Sequence, residues 1–286
     1  MHALPFVFAL AVAMLMAPAV LRALQAAGHL KLNYRGRPLP SPLGVLALAA
    51  ALAALIPLML LHRLASTAIF HPEALPIALY ALGVIALGLI DDTLGEGASV
   101  GEDASARAVH RGWRGHGGAA LRGELSTGTL KAVGSLGLAL FAMSYLSLSN
   151  WRWLLAAGVL VLATNVFNLL DLRPGRSAKA FVLLGGGLTI GSMDLRPLWA
   201  LGLFAAPALV AGAYDLRERA MLGDTGANLL GALAGLWLVL TLSGTGQLIA
   251  LVLLGAITLY GEIRSLSALI ERTPALRELD SWGRPS

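Results

Sequence analysis

Three groups of polar residues stand beside apolar runs, and their types suit the handling of metals and phosphates. The first closes Gly88-Leu89-Ile90-Asp91-Asp92-Thr93. Two adjacent carboxylates at the end of an apolar helix are costly to desolvate and need a metal, a lysine or water as partner. Two solvated loop acids are the plainer alternative. The second group is Thr164-Asn165-Val166-Phe167-Asn168-Leu169-Leu170-Asp171. Asn165 and Asn168 share a helical face, and Asp171 extends it by another three residues. That stripe could bind a metal or read a nucleobase, or simply hydrogen-bond to a neighbouring helix. The third is Met221-Leu222-Gly223-Asp224-Thr225-Gly226-Ala227-Asn228. Gly223 and Gly226 allow close backbone approach, and the helix that follows offers free N–H groups and a positive dipole end. Asp224 could hold Mg²⁺ there while the amides face a phosphate. Asp224 or Thr225 could equally cap the helix, and both roles can coexist.

Basic residues stand near these acids in the chain. Lys131 opens an apolar run, where it either snorkels to the interface or neutralises a phosphate. Arg35 and Arg37 lie in Asn33-Tyr34-Arg35-Gly36-Arg37-Pro38-Leu39-Pro40-Ser41-Pro42-Leu43-Gly44, a proline-stiffened segment able to meet an anionic headgroup. His110 and His116 read as solvated loop residues, because no zinc spacing surrounds them. Gly185-Gly186-Gly187 reads as a close helix contact. The chain has no cysteine, which excludes disulfides and thiolate chemistry. No Walker-type or Rossmann-type glycine pattern is present.

The elements that must position these groups are membrane helices. Of the 286 residues, 57% are hydrophobic and only 13% charged, against about 25% charged in soluble domains. Nine apolar segments follow: Ala3–Leu21, Leu43–Leu61, Ala74–Ile90, Ala132–Leu148, Trp153–Leu170, Ala180–Met193, Pro197–Ala213, Ala227–Leu242 and Leu248–Tyr260. The expected fold is therefore all-α, a polytopic membrane domain of about nine spans over residues 1–286. The first segment is preceded by no Lys or Arg, so it reads as a retained span rather than a cleaved signal. All 21 lysines and arginines except Arg63, Arg152 and Arg196 fall on one set of loops. The positive-inside rule puts that set and the C-terminus in the cytoplasm and the N-terminus outside. All 16 acids except Glu73 and Asp194 share that face. Any chemistry is thus expected on the cytoplasmic face of the cell membrane. The long loop 91–129 and the tail 262–286 lie there too. Within the tail, Ile263, Leu266, Leu269 and Ile270 recur at helical spacing, so Ile263–Leu279 is expected to form one amphipathic interfacial helix.

The order of the three groups, each at the same membrane edge, closely resembles the polyprenyl-phosphate N-acetylhexosamine-1-phosphate transferases. The likeness runs from about Asn33 to Asn228. It implies an Mg²⁺-dependent enzyme that joins a sugar-1-phosphate from a UDP-linked amino sugar to undecaprenyl or a similar polyprenyl phosphate, releasing UMP. By the same likeness Asp91, Asp92 and Lys131 are catalytic, and Asp224 and Asn168 hold the metal. Asn165, Asp171, Gly223 and Gly226 bind substrate, as do Arg35 and Arg37. Arg264 and Arg272 would replace a histidine motif usual in the last loop, since no histidine follows His116. Pro174 stands where the family usually has a second acid. The missing histidines favour HexNAc, and GlcNAc among them, over phospho-MurNAc-pentapeptide; a non-catalytic relative binding lipid phosphate or nucleotide sugar is the remaining alternative. The implied partners are the two substrates and membrane lipids, at most a second copy of the chain as a homodimer, and no nucleic acid. Acids gathered at one membrane edge, rather than at the midplane, argue against a small-solute transporter.

Overall fold

Each of the nine apolar runs is helical in the computed structural model, which describes residues 1–94 and 127–285. The helices are α1 (Leu4–Ala26), α2 (Val45–Leu64), α3 (Ala74–Leu94), α4 (Thr127–Met143), α5 (Asn150–Leu170), α6 (Arg176–Ser192), α7 (Arg196–Leu216), α8 (Gly223–Thr241) and α9 (Gly244–Ile263). Seven of them are long and apolar enough to cross a bilayer, which makes the chain a polytopic membrane protein. The exceptions are α4, which is apolar but short, and α6, whose first turn carries Arg176, Ser177 and Lys179. The stretch 95–126, with His110 and His116, lies outside the described residues.

Two features depart from the all-helical expectation of the sequence. Between α1 and α2, β1 (Leu30–Leu32) and β2 (Pro38–Pro40) pair antiparallel, with Lys31 opposite Leu39. Their turn is held by Asn33, whose Oδ1 accepts from the backbone N–H groups of Arg35 and Arg37, both at 2.9 Å. The tail, moreover, is not one helix over Ile263–Leu279. Arg264 is extended, and α10 (Leu266–Arg272) and α11 (Pro274–Ser281) form separately. Pro274 supplies the reason: the residue before a proline is pushed out of the α region, and Thr273 sits at φ −97°, ψ 110°.

α8 is the axis of the bundle. Every residue from Thr225 to Val239 is buried, and α3, α5, α6 and α7 surround it. In lipid, helices associate through close packing rather than hydrophobic drive, so small residues mark the contacts. A Cβ on Gly231 would lie 2.6 Å from Thr164 Cα, and one on Gly235 would lie 3.0 Å from Leu160 Cα. These glycines are four apart and share the face turned to α5. Of the triple glycine in α6, only Gly185 is such a contact, against Trp237; a Cβ on Gly186 or Gly187 would meet nothing.

Gly231→Ala should therefore destabilise the bundle by about 1–3 kcal/mol, the usual cost of overpacking. Gly187→Ala should not. Thermal unfolding of the two variants in detergent checks this, and equal midpoints would refute the close α5–α8 contact.

Candidate functional site

α3 and α5 end, and α4 and α8 begin, at one end of the bundle. A helix N-terminus leaves N–H groups without intrahelical partners, and at α8 these are taken by the protein itself. Asp92, whose side chain is 0% exposed, accepts from Asp224 N at 3.1 Å with Oδ1. Its Oδ2 accepts from Thr225 N at 2.8 Å and Thr225 Oγ1 at 2.7 Å. Lys31 Nζ, from β1, completes the set at 2.9 Å from Oδ1. Asp92 thus caps α8 from a neighbouring helix, a duty the sequence left open to Asp224 or Thr225.

The two glycines expected to leave room for a diphosphate are filled by packing instead. A Cβ on Gly223, which has φ +68°, would lie 2.6 Å from Pro42 Cβ and 2.7 Å from Asp92 Oδ2. One on Gly226 would lie 2.7 Å from Leu222 Cδ2 and 3.2 Å from Gly44 Cα. Backbone ladder bonds explain the crowding: Leu43 N and Gly44 N donate to the carbonyls of Met221 and Leu222 at 2.8 and 3.0 Å.

Asp91, one residue before the cap, faces a different set of groups. Lys131 Nζ donates to Asp91 Oδ2 at 3.1 Å and, at very short range, to Asp224 Oδ2. The Asn168 carboxamide adjoins both: with its nitrogen donating to Asp224 Oδ1 at 3.3 Å, its oxygen accepts from Lys131 Nζ at 3.1 Å. Four helices therefore bring Asp91, Lys131, Asn168 and Asp224 together. Freed from capping, Asp224 keeps 33% of its side-chain surface exposed.

The remaining expected site residues lie elsewhere. Asn165 reaches across to α9, donating from Nδ2 to Thr258 Oγ1 at 3.3 Å, so it serves helix–helix contact. Asp171, at the C-cap of α5, accepts from Ser177 Oγ at 3.3 Å. Burial pushes its carboxyl well above the usual carboxylate range, and the charges of Asp215 and Asp224 add to the effect. Arg35 is engaged already: its Nε lies 3.5 Å from Glu218 and 2.7 Å from the Tyr34 hydroxyl, and a terminal nitrogen donates to the carbonyl of Pro285. Arg37, Arg264 and Arg272 are exposed, with no side-chain partner among the described residues.

Sequence reasoning missed Lys31, Asp215, Glu218 and the clamp that seats the tail. Arg176, buried in the first turn of α6, donates through Nε and a terminal nitrogen to the two oxygens of Asp280 at 2.7 and 2.9 Å. Lys179 donates to the carbonyls of Leu279, Asp280 and Trp282 at the end of α11. Burial opposes the charge on Asp280, yet hydrogen bonds from Arg176 and Arg284 hold its carboxyl below the usual range. A depressed acid stabilises the fold above its unfolded value, so this clamp weakens as pH falls through the folded one. The charge signs of these residues were visible in the sequence; their pairings, about a hundred residues apart, were not.

No known protein-family profile matches the chain, and no curated protein matches it either. Function must be read from the site. Among the described residues, no three His, Asp or Glu side chains are grouped to hold a metal ion. The donor set is leaner: two carboxylates and a carboxamide around one ammonium, open to solvent through Asp224. Such a set can take one hard cation and hold an anion beside Lys131.

The division between the two adjacent acids is testable. Asp92→Asn places an NH₂ group against N–H donors and should cost about 1.5–3 kcal/mol, the scale of hydrogen bonds to a charged acceptor. Asp91→Asn, at the partly open Lys131 contact, should cost clearly less. Comparable losses in thermal unfolding would contradict the assignment of the cap to Asp92.

Proposed function

We propose that this protein transfers HexNAc-1-phosphate, with GlcNAc the favoured sugar, from a UDP-sugar to a polyprenyl phosphate. The observation that carries the reading is the convergence of Asp91, Lys131, Asn168 and Asp224 from four helices. The motif order in the chain supports it independently. All nine helices α1–α9 then count as spans, the tail pair α10 and α11 lying outside the count, with the N-terminus outside and the cluster at the cytoplasmic face of the cell membrane. That orientation rests on the loop charges.

In the reaction, an oxygen of the lipid phosphate attacks the sugar-bearing phosphorus of the donor. The bond from that phosphorus to the bridging oxygen breaks, and UMP leaves with the electron pair. Both substrates are anions, so neutralising and aligning them is most of the task. Mg²⁺, when bound, would offset negative charge on the diphosphate and its leaving group. The residues fit that ion, because Mg²⁺ commonly takes one or two carboxylates and leaves its other positions to water and phosphate oxygens. Asp224 is the more exposed ligand, with Asp91 and the Asn168 oxygen beside it. Turning the Asn168 amide to place its oxygen beside Asp224 would be unfavourable without a shared cation, and suits ligation with one. Lys131 offsets the charge of both acids and can transfer its hydrogen bonds to a phosphate oxygen. A lipid phosphate is already largely ionised at neutral pH, so Asp91 serves to orient Lys131 and place the cation rather than to deprotonate the phosphate. The amides of Asp224 and Thr225 take no part, since Asp92 occupies them. Anion binding beyond Lys131 falls to Arg37, Arg264 and Arg272, which are exposed and without a side-chain partner among the described residues.

The test uses purified full-length protein with radiolabelled UDP-GlcNAc, undecaprenyl phosphate and Mg²⁺. Lipid-linked product and UMP are the expected result. Asp224→Asn should lower turnover by about a hundredfold or more, the scale of losing a major electrostatic contribution to the transition state, while the variant still folds into membranes. Nucleotide binding without turnover in the wild type would leave only a binding protein.

A further inference from the structure

Asp215 stands in the last turn of α7, 4% exposed, and belongs to none of the sequence groups. Its two oxygens serve two different loops. Oδ2 accepts from Gly175 N at 2.7 Å and Oδ1 from Leu222 N at 3.3 Å. Gly175 closes the turn that begins at Asp171 and precedes α6; Leu222 is the N-cap position of α8, two residues before Asp224. One buried carboxylate therefore joins the turn that follows Asp171 to the start of α8, which carries Asp224. The contact is close enough to demand glycine. Gly175 has φ +75°, and a Cβ on it would lie 2.4 Å from Leu216 Cδ1 and 3.1 Å from Leu216 Cα. Pro174 has no N–H to offer, so Gly175 supplies the donor at this point of the turn. Beyond Leu222 the linkage continues, since its carbonyl accepts from Gly44 N at 3.0 Å.

Both oxygens are acceptors here, a pairing that suits a carboxylate. An asparagine would set an NH₂ against one of the two N–H donors.

We propose that Asp215 is a positioning residue that fixes the Asp171 turn against the start of α8. It thereby sets the distance between Asp171, which the family likeness gives to the substrate, and Asp224. The substrate half of this statement rests on the transferase reading; the linkage half does not. A donor spanning Asp171 and Asp224 is sensitive to that distance, whereas the lipid phosphate, meeting only the Asp91–Lys131 side, is not.

Residue-resolved hydrogen exchange on the full chain in detergent tests the linkage without any activity. In the wild type, the amides of Gly175 and Leu222 should both be protected although each lies at the edge of a helix. In Asp215→Asn both should exchange about tenfold to a hundredfold faster, the scale of losing a charged acceptor, with the amides of Leu229–Leu236 unchanged. Kinetically, the same variant should raise the donor KM by about tenfold and leave the polyprenyl-phosphate KM within about twofold. Unprotected amides in the wild type, or unaltered exchange in the variant, would overturn the linkage. Equal shifts in both KM values would overturn the positioning role. Should Asp215→Asn fail to fold, wild-type exchange decides: slow exchange at both amides upholds the linkage, fast exchange refutes it. A wild type without turnover would count against the transferase reading alone, because the exchange result stands apart from it.

Discussion

The buried carboxylate of Asp92 at the start of α8 constrains everything around it. A charge with no exposed side-chain surface must be met by donors on all sides, and it is met by two amides, a hydroxyl and Lys31. That requirement draws α3 against α8 until no Cβ fits at Gly88, where one would lie 2.7 Å from Thr225 Cα. It also draws the start of α2 in, since a Cβ on Gly44 would lie 2.2 Å from Gly226 N. Once Asp92 points into this junction, Asp91 is turned about a quarter of a helical turn away. There it meets Lys131 and, through it, Asp224. The cap and the Asp91–Lys131–Asp224 cluster are thus two outcomes of one helix rotation.

Two buried acids, Asp92 and Asp215, take three amides at the start of α8, those of Asp224, Thr225 and Leu222. The dipole end that might have received a phosphate is neutralised from within. What remains for a ligand is side-chain chemistry, chiefly Lys131 and the open edge of Asp224. This trade gives rigidity at the cost of a backbone anion site. It also explains why the segment from Asn33 to Gly44 matters despite holding no acid. Asn33, Tyr34 and Arg35 all converge on Glu218, while Leu43 and Gly44 pair with the chain leading into α8.

Much of the fold was legible because lipid imposes a strong rule: apolar runs of sufficient length become helices with satisfied backbones. All nine runs did so, and the split of charges already gathered the acids at one end. What the sequence could not show was direction within a motif. Asp91 and Asp92 are the same residue type, yet one is a cap and the other part of the cluster, a difference fixed by helix rotation against α8. Asn165 and Asn168 share a face by spacing, but one meets α9 and the other Asp224. Asp215 and Glu218 belong to no sequence motif, because their partners are amides and side chains mostly distant in the chain. Pro274 carries the signal against one long C-terminal helix, a break that the apolar spacing of Ile263–Ile270 does not show.

The central claim is that Asp224, with Asp91 and Asn168, forms a site for one divalent cation beside Lys131, while Asp92 serves structure. Mn²⁺ binding to the full-length protein in detergent, followed by electron paramagnetic resonance, addresses it directly, since Mn²⁺ shares the oxygen preference of Mg²⁺. The account predicts saturable binding that Mg²⁺ displaces and that Asp224→Asn abolishes in a protein still folded. Undiminished Mn²⁺ binding in folded Asp224→Asn would contradict it.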